Sequence, residues 1–235
     1  MVTEILKNYL PDYADALSER QLEQLEKYAA LLLEWNEKIN LTAITDEEGI
    51  AAKHFLDCLA FLRHAQIKEG ARVADVGTGA GFPGIVLKIA RPDIELVLID
   101  SLQKRLNFLS EVCRELGIKA TLVHARAEDA GHDKALRESF DFVTARAVAN
   151  LAVLSEYCLP LVKIGGVFAP MKTAEAESEL SAAEKAIAIL GGEVRGVEHY
   201  EIPVAGGRSA VIIGKKSPTP PKYPRQRVKI SEKPL

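Results

Sequence analysis

A chain of 235 residues with 48% hydrophobic content and a net charge of −3 is long enough to bury one substantial α/β core and a small appendage. Three well-separated cysteines, Cys58, Cys113 and Cys158, form no C-x-x-C pair, which excludes a disulfide-built scaffold and fits packing residues in a reducing cytoplasm. The start, Met-Val-Thr-Glu-Ile-Leu-Lys, has no signal-peptide core, and no apolar run nears the ~20 residues that span a bilayer, so a soluble cytoplasmic protein without membrane attachment is expected.

Residues 1–68 read as an all-helical extension. Ser18 and Gln21 match a capping box, and Leu22, Leu25, Ala29, Leu32 and Ile39 follow at near-helical spacing, broadened by Leu31 and Trp35, a face suited to packing on the main domain. Thr45 and Glu48 form a second capping-box pattern, opening a helix that carries His54 and Asp57 towards Leu62. His54 and Asp57 lie one turn apart, so they either share a hydrogen bond that orients the helix or face a substrate.

Residues 69–215 alternate strand and helix, the pattern of a doubly wound parallel sheet. Val73–Val76 is the first strand. It runs into a loop with glycines at 77, 79, 81 and 84, and a helix starts near Pro83, a residue suited to a first helical position. Glycines at such a turn let backbone approach a ligand closely, and the helix N-terminus behind adds free N–H groups. This is a nucleotide-type cofactor site. Gly79, Gly81 and Gly84 fit the G-x-G-x-x-G of a dinucleotide enzyme, whereas Asp75-Val-Gly77-Thr-Gly79-Ala-Gly81 resembles the first motif of class I S-adenosylmethionine-dependent methyltransferases. The Asp75 carboxylate suits a cofactor with a cationic amino-acid end and would repel a pyrophosphate.

The second strand, Glu95–Asp100, ends in an acid placed to accept from ribose hydroxyls. The Leu102–Leu116 helix follows, with Lys104 and Arg105 near its start. After the third strand, Ala120–Val123, Glu128 is suited to an adenine amino group and Ala127 to a backbone contact. The fourth strand, Phe140–Ala145, delivers Arg146 to the carboxyl edge of the sheet, where open α/β sheets bind ligands. A helix over Asn150–Val162, a strand over Val167–Met171 leading to Lys172, a charged helix to Leu190, and a hairpin of Glu193–Val197 with Ser209–Ile213 complete a seven-stranded, mostly parallel sheet with an antiparallel last strand. The five histidines show no zinc-ligand spacing and no calcium loop is visible, so no metal is expected.

Residues 216–235 form a basic, proline-rich tail. From Lys215 onward seven basic residues face the single acid Glu232, so the net charge conceals a cationic end on an acidic body. That reads as a phosphate-contacting arm, supplying RNA affinity without touching the cofactor site.

Five stretches occur in order: Asn36-Glu-Lys-Ile-Asn-Leu-Thr-Ala-Ile44, His54-Phe-Leu-Asp57, Asp75 through Ile85, Asp100-Ser-Leu-Gln-Lys-Arg105 and Ala145-Arg-Ala147. Together they resemble the bacterial small-subunit (16S) ribosomal RNA guanine-N7 methyltransferase family, also called the glucose-inhibited division protein B family, over nearly the whole chain. The resemblance implies a Rossmann-like class I fold, S-adenosylmethionine as methyl donor, and N7 of one guanosine in 16S rRNA of the small ribosomal subunit as acceptor. By motif position it implies cofactor roles for Gly77, Phe82, Ala127, Glu128 and Arg146; the general methyltransferase pattern adds Asp75, Gly79 and Asp100. Arg146 either holds the cofactor carboxylate or positions the guanine through O6. In the tail, Gln226-Arg-Val-Lys-Ile-Ser231 stands where the family has a Gly-Thr-Pro-type turn. The fourth strand ends without the cysteine of a cytosine-C5 enzyme or the Asp/Asn-Pro-Pro-aromatic motif of exocyclic-amine enzymes. A monomer is expected. The competing readings are a non-catalytic RNA-binding protein on the same fold and an NAD-dependent oxidoreductase.

Overall fold

A computed structural model describes residues 1–235. The sheet is built from β1 (Arg72–Val76), β2 (Glu95–Asp100), β3 (Ala120–His124), β4 (Phe140–Thr144), β5 (Val162–Phe168), β6 (Met171–Thr173), β7 (Gly192–Ile202) and β8 (Gly206–Lys215). The order is β3-β2-β1-β4-β5-β8, with β6 and β7 also on β8. The first five are parallel, and β8 runs antiparallel to its partners. Because β5 and β6 pair in succession with the same strand, Val167 opposite Gly214 and Met171 opposite Ala210, they act as one interrupted strand. The expected seven positions with an antiparallel last strand are therefore present.

Parallel strands covered on both faces read as near-continuous apolar runs, and β1 and β2 are buried beyond their first residues. Their side chains divide by the two-residue period. Val73, Leu96, Leu98 and Phe142 enter one core with helices α1 (Val2–Tyr13), α2 (Glu19–Asn36), α3 (Glu47–Gly49), α4 (Asp57–His64), α5 (Gly84–Ala90) and α6 (Gln103–Leu116) around them. Ala74, Val76, Val97 and Ile99 enter the other, beneath α7 (Ala127–Ala130), α8 (Leu151–Cys158), α9 (Ala176–Ile189) and α10 (Arg227–Glu232). The N-terminal helices share a core with the sheet: α2 starts at the expected Ser18–Gln21 capping box, and the Gln21 amide also reaches the carbonyls of Ile89 and Ala90 at the end of α5.

Several local expectations differ from the structure. The cap before His54 is Asp46, not Thr45: its carboxylate accepts from Gly49 N at 2.7 Å. The following helix is wound as a π-turn over Ile50–Leu56 before tightening into α4, a geometry frequent at functional sites. The helix after Asn150 stops at Cys158 because Pro160 has no N–H to continue it, and the chain passes through a 3₁₀ turn, Leu159–Leu161, into β5. That strand starts at Val162. Val162 and Val167 face Phe140 and Phe142, so residues 163–166 bulge from the ladder, helped by Gly165 at φ +81°. The tail is not a free arm; it folds back on α8, as described below.

Candidate functional site

The carboxyl ends of β1, β2, β3 and β4 and the segments after them enclose a cavity of about 630 Å³, with Gly77, Asp100, Ala127 and Glu128 in its wall. The glycine loop is a left-handed turn held from below. Gly77, Gly79 and Gly81 sit at φ +68°, +59° and +97°, a region costly for any residue with a Cβ. Asp75 is the fastening. Fully buried, its carboxylate accepts from Thr78 Oγ1 at 2.7 Å and Gly84 N at 2.9 Å, and burial pushes its pKa up to about 6. It therefore lies beneath the loop and not in the cavity wall, whereas the sequence reading turned it towards the cofactor.

Asp100 works from the cavity side. One oxygen accepts from Leu102 N at the start of α6, the other from Gly79 N at 2.9 Å and from Arg105 Nη1 at 3.4 Å. A carboxylate has about four acceptor sites, so one remains for a ribose hydroxyl, and a second opens if Arg105 lets go. A Cβ on Gly79 would meet nothing nearer than Gly77 O at 3.9 Å, whereas on Gly77 it would meet Val148 Cγ2 at 2.8 Å. The space above the loop is therefore open at Gly79 and closed at Gly77 by Val148. Acceptors at Asp100 and Glu128, backbone at Gly77 and Ala127 and apolar walls at Ile99 and Val153 fit a nucleoside, and Arg105, Arg126 and Arg227 stand in the same wall.

A second cavity of about 450 Å³ adjoins the first; Ala147 belongs to both walls. Arg146 stands here. Its Nη1 donates to Lys53 O and to Asp57 Oδ2 at 3.3 Å, its Nη2 meets His54 Nδ1 at 3.2 Å, and its guanidinium lies over the Phe82 ring. Since a guanidinium only donates, Nδ1 is the acceptor and Nε2 carries the proton, which it donates to Thr42 Oγ1 at 2.9 Å. Burial and the Arg146 charge push the His54 pKa down to about 3, so it is neutral. Burial raises the Asp57 pKa, and Arg146 and Arg208 pull it back. His54 and Asp57 thus do not pair with each other; both hold Arg146. Phe82, buried and stacked on His54 at 4.5 Å, supports this cluster from beneath.

Ala147, the residue joining the cavities, holds φ +56°, a strain that persists where surrounding contacts over-determine it. Lys172 supplies them: its ammonium bonds Ala149 O and Glu179 Oε2, and that same oxygen accepts from Leu151 N. Thr42 and the wall residues Val148 and Tyr157 are not legible as site residues in the sequence. Thr42 lay inside a quoted motif; Val148 and Tyr157 carried no signal, since their roles depend on which loop crosses which strand end.

Fold and cavity together are those of a class I S-adenosylmethionine-dependent methyltransferase. Two solved structures share the fold: TrmN from Thermus thermophilus (TM-score 0.52, 22% identity, 68% of this chain and 48% of that one), and a 16S rRNA (adenine(1408)-N(1))-methyltransferase from Catenulisporales acidiphilia (TM-score 0.52, 19% identity, 66% and 90%). The profile described as GidB, rRNA small subunit methyltransferase G, matches residues 21–205, and the chain belongs to that family. Proteins named ribosomal RNA small subunit methyltransferase G are similar to it throughout. The one from Lactococcus lactis subsp. cremoris (strain MG1363) is 49% identical over 219 residues, 92% of either chain. The one from Alkaliphilus oremlandii (strain OhILAs) is 48% identical over 236 residues, 98% of this chain and 99% of its own.

Proposed function

We propose that this chain transfers a methyl group from S-adenosylmethionine to N7 of a guanosine in 16S rRNA of the small ribosomal subunit, acting as a cytoplasmic monomer. The observation that carries the reading is the pair of cavities meeting at Ala147, one suited to a nucleoside cofactor and the other bordered by Lys53, Arg146, Lys172 and Arg208. When bound, S-adenosylmethionine supplies an electrophilic sulfonium methyl. Gly77, Ala127, Asp100 and Glu128 would hold its nucleoside, with Asp75 and Gly79 keeping the loop in shape.

Guanine N7 carries an in-plane lone pair and needs no deprotonation, so alignment in a preorganised site suffices. The protein's own groups agree with that demand. His54 has both ring nitrogens engaged, and the Asp57 carboxylate lies between two guanidinium groups, so neither is poised as a general base. Arg146 is aimed by three bonds and is the positioning residue of this reading. No helix is long and apolar enough to cross a membrane.

The test uses 30S subunits from a strain lacking this gene, incubated with the protein and S-adenosylmethionine, with 7-methylguanosine in digested 16S rRNA quantified by mass spectrometry. A stoichiometric gain is expected. A gain only on deproteinised rRNA would keep the chemistry and change the substrate state; no gain on either would end the N7 assignment.

A further inference from the structure

The basic tail is built into the wall of the larger cavity. Lys215, where it begins, is buried and donates to Leu159 O and Thr219 Oγ1. The Arg137 guanidinium binds the carbonyls of Thr219 and Tyr223, and His132 Nε2 meets Pro224 O at 2.7 Å. Arg225 forms a two-pronged pair with the buried Glu156 carboxylate, at 2.8 and 2.7 Å. These anchors deliver α10, whose Ile230 is fully buried in the core under α8, while Arg227 and Ser231 turn to the cavity. Arg225 is consumed by Glu156, but Arg227 enters no ion pair within the chain. Arg227, Tyr157 and Glu128 line the same cavity, which puts Arg227 on the wall that also carries the acid suited to adenine.

Resting on the S-adenosylmethionine reading, we infer that the tail, residues 216–235, closes a wall of the cofactor cavity through α10 and that Arg227 is a cofactor-binding residue covering the nucleobase. A guanidinium is planar, weakly hydrated and stacks on aromatic faces, and an adenine presents such a face. The tail then does what a free arm does not: it links cofactor affinity to the docking of α10.

Calorimetric titration tests this with two probes, S-adenosylhomocysteine and 5′-methylthioadenosine, the second lacking the amino-acid end. The full chain binds both. Arg227→Ala weakens both by the same factor, about three- to tenfold as for loss of one cation–π contact, without lowering the melting temperature. Arg227→Lys loses less. Ile230→Ser, which loosens α10 from α8, weakens both probes as well. Binding by Arg227→Ala within twofold of the full chain would overturn the proposal, as would a loss confined to S-adenosylhomocysteine, which would move Arg227 to the amino-acid end. Failure of the unaltered chain to bind either nucleoside would instead end the cofactor reading beneath it.

Discussion

His54 is a histidine that the fold requires to be neutral. Protonation would put an N–H at Nδ1, against the Arg146 guanidinium 3.2 Å away. Its pKa is about 3 folded against 6.5 unfolded, so the unfolded chain binds the extra proton between those values. Its contribution is therefore whole above pH 6.5 and is lost as pH falls towards 3. At about 1.4 kcal/mol per unit, urea unfolding at pH 7 and 4.5 should show the protein losing about 2–3 kcal/mol more than a His54→Gln variant. The raised Asp75 pKa has the opposite sign, contributing stability at low pH that is lost as pH rises through about 6, but it is common to both and cancels. Parallel stability curves would mean that His54 does not carry this linkage. Arg146 sharpens the point. Arg146→Lys keeps the charge but cannot serve Lys53 O, Asp57 and His54 at once, and is expected to cut methylation at least tenfold while folding. Arg146→Ala also leaves the buried Asp57 with Arg208 as its one remaining cation, and losing a partner of a buried ion pair costs up to about 3–5 kcal/mol. A lysine variant of full activity would remove Arg146 from its positioning role.

The glycine loop separates two kinds of requirement within one element. At Gly79 an added Cβ meets open space, so Gly79→Ala carries only the left-handed strain, roughly 1–2 kcal/mol, and should fold while binding cofactor less well. At Gly81 the Cβ would come within 2.7 Å of Tyr28 Oη and Ile85 Cγ1, and Gly81→Ala should be much less stable in urea. Equal losses at the two sites would mean the loop relaxes as a unit. The chain's punctuation made most elements readable. Alternating apolar runs marked the strands, and Ser18 marked the start of α2. The π-turn at Ile50–Leu56 was not readable, since it preserves the apolar pattern and changes only its phase. Nor was the early start of β5, where register with Phe140 and not local sequence extends the strand. In the site, Gly77, Asp100, Ala127 and Glu128 followed from their places after strands. The partners of Arg146 depended on a helix from the other end of the chain.

For the whole molecule, charge seen in sequence is not charge available to RNA. Of the tail's seven cations, Lys215 and Arg225 are turned inward by Leu159 O and Glu156, and Lys216 lies on Glu193. Arg227 faces the cavity. Lys222, Lys229 and Lys233 remain outward and exposed, on the surface that carries α10. If they contact phosphates, each adds counterion release, and the slope of log affinity against log salt becomes shallower by about 0.7–0.9 per contact removed. A Lys222→Ala, Lys229→Ala, Lys233→Ala variant should therefore bind 16S rRNA more weakly, with a salt slope shallower by roughly 2 to 3, and bind S-adenosylhomocysteine as before, since none of the three lines the cavity. An unchanged slope would shift RNA to the rim of the second cavity, where Lys53 and Arg208 stand. The tail's part would then be confined to the cofactor wall.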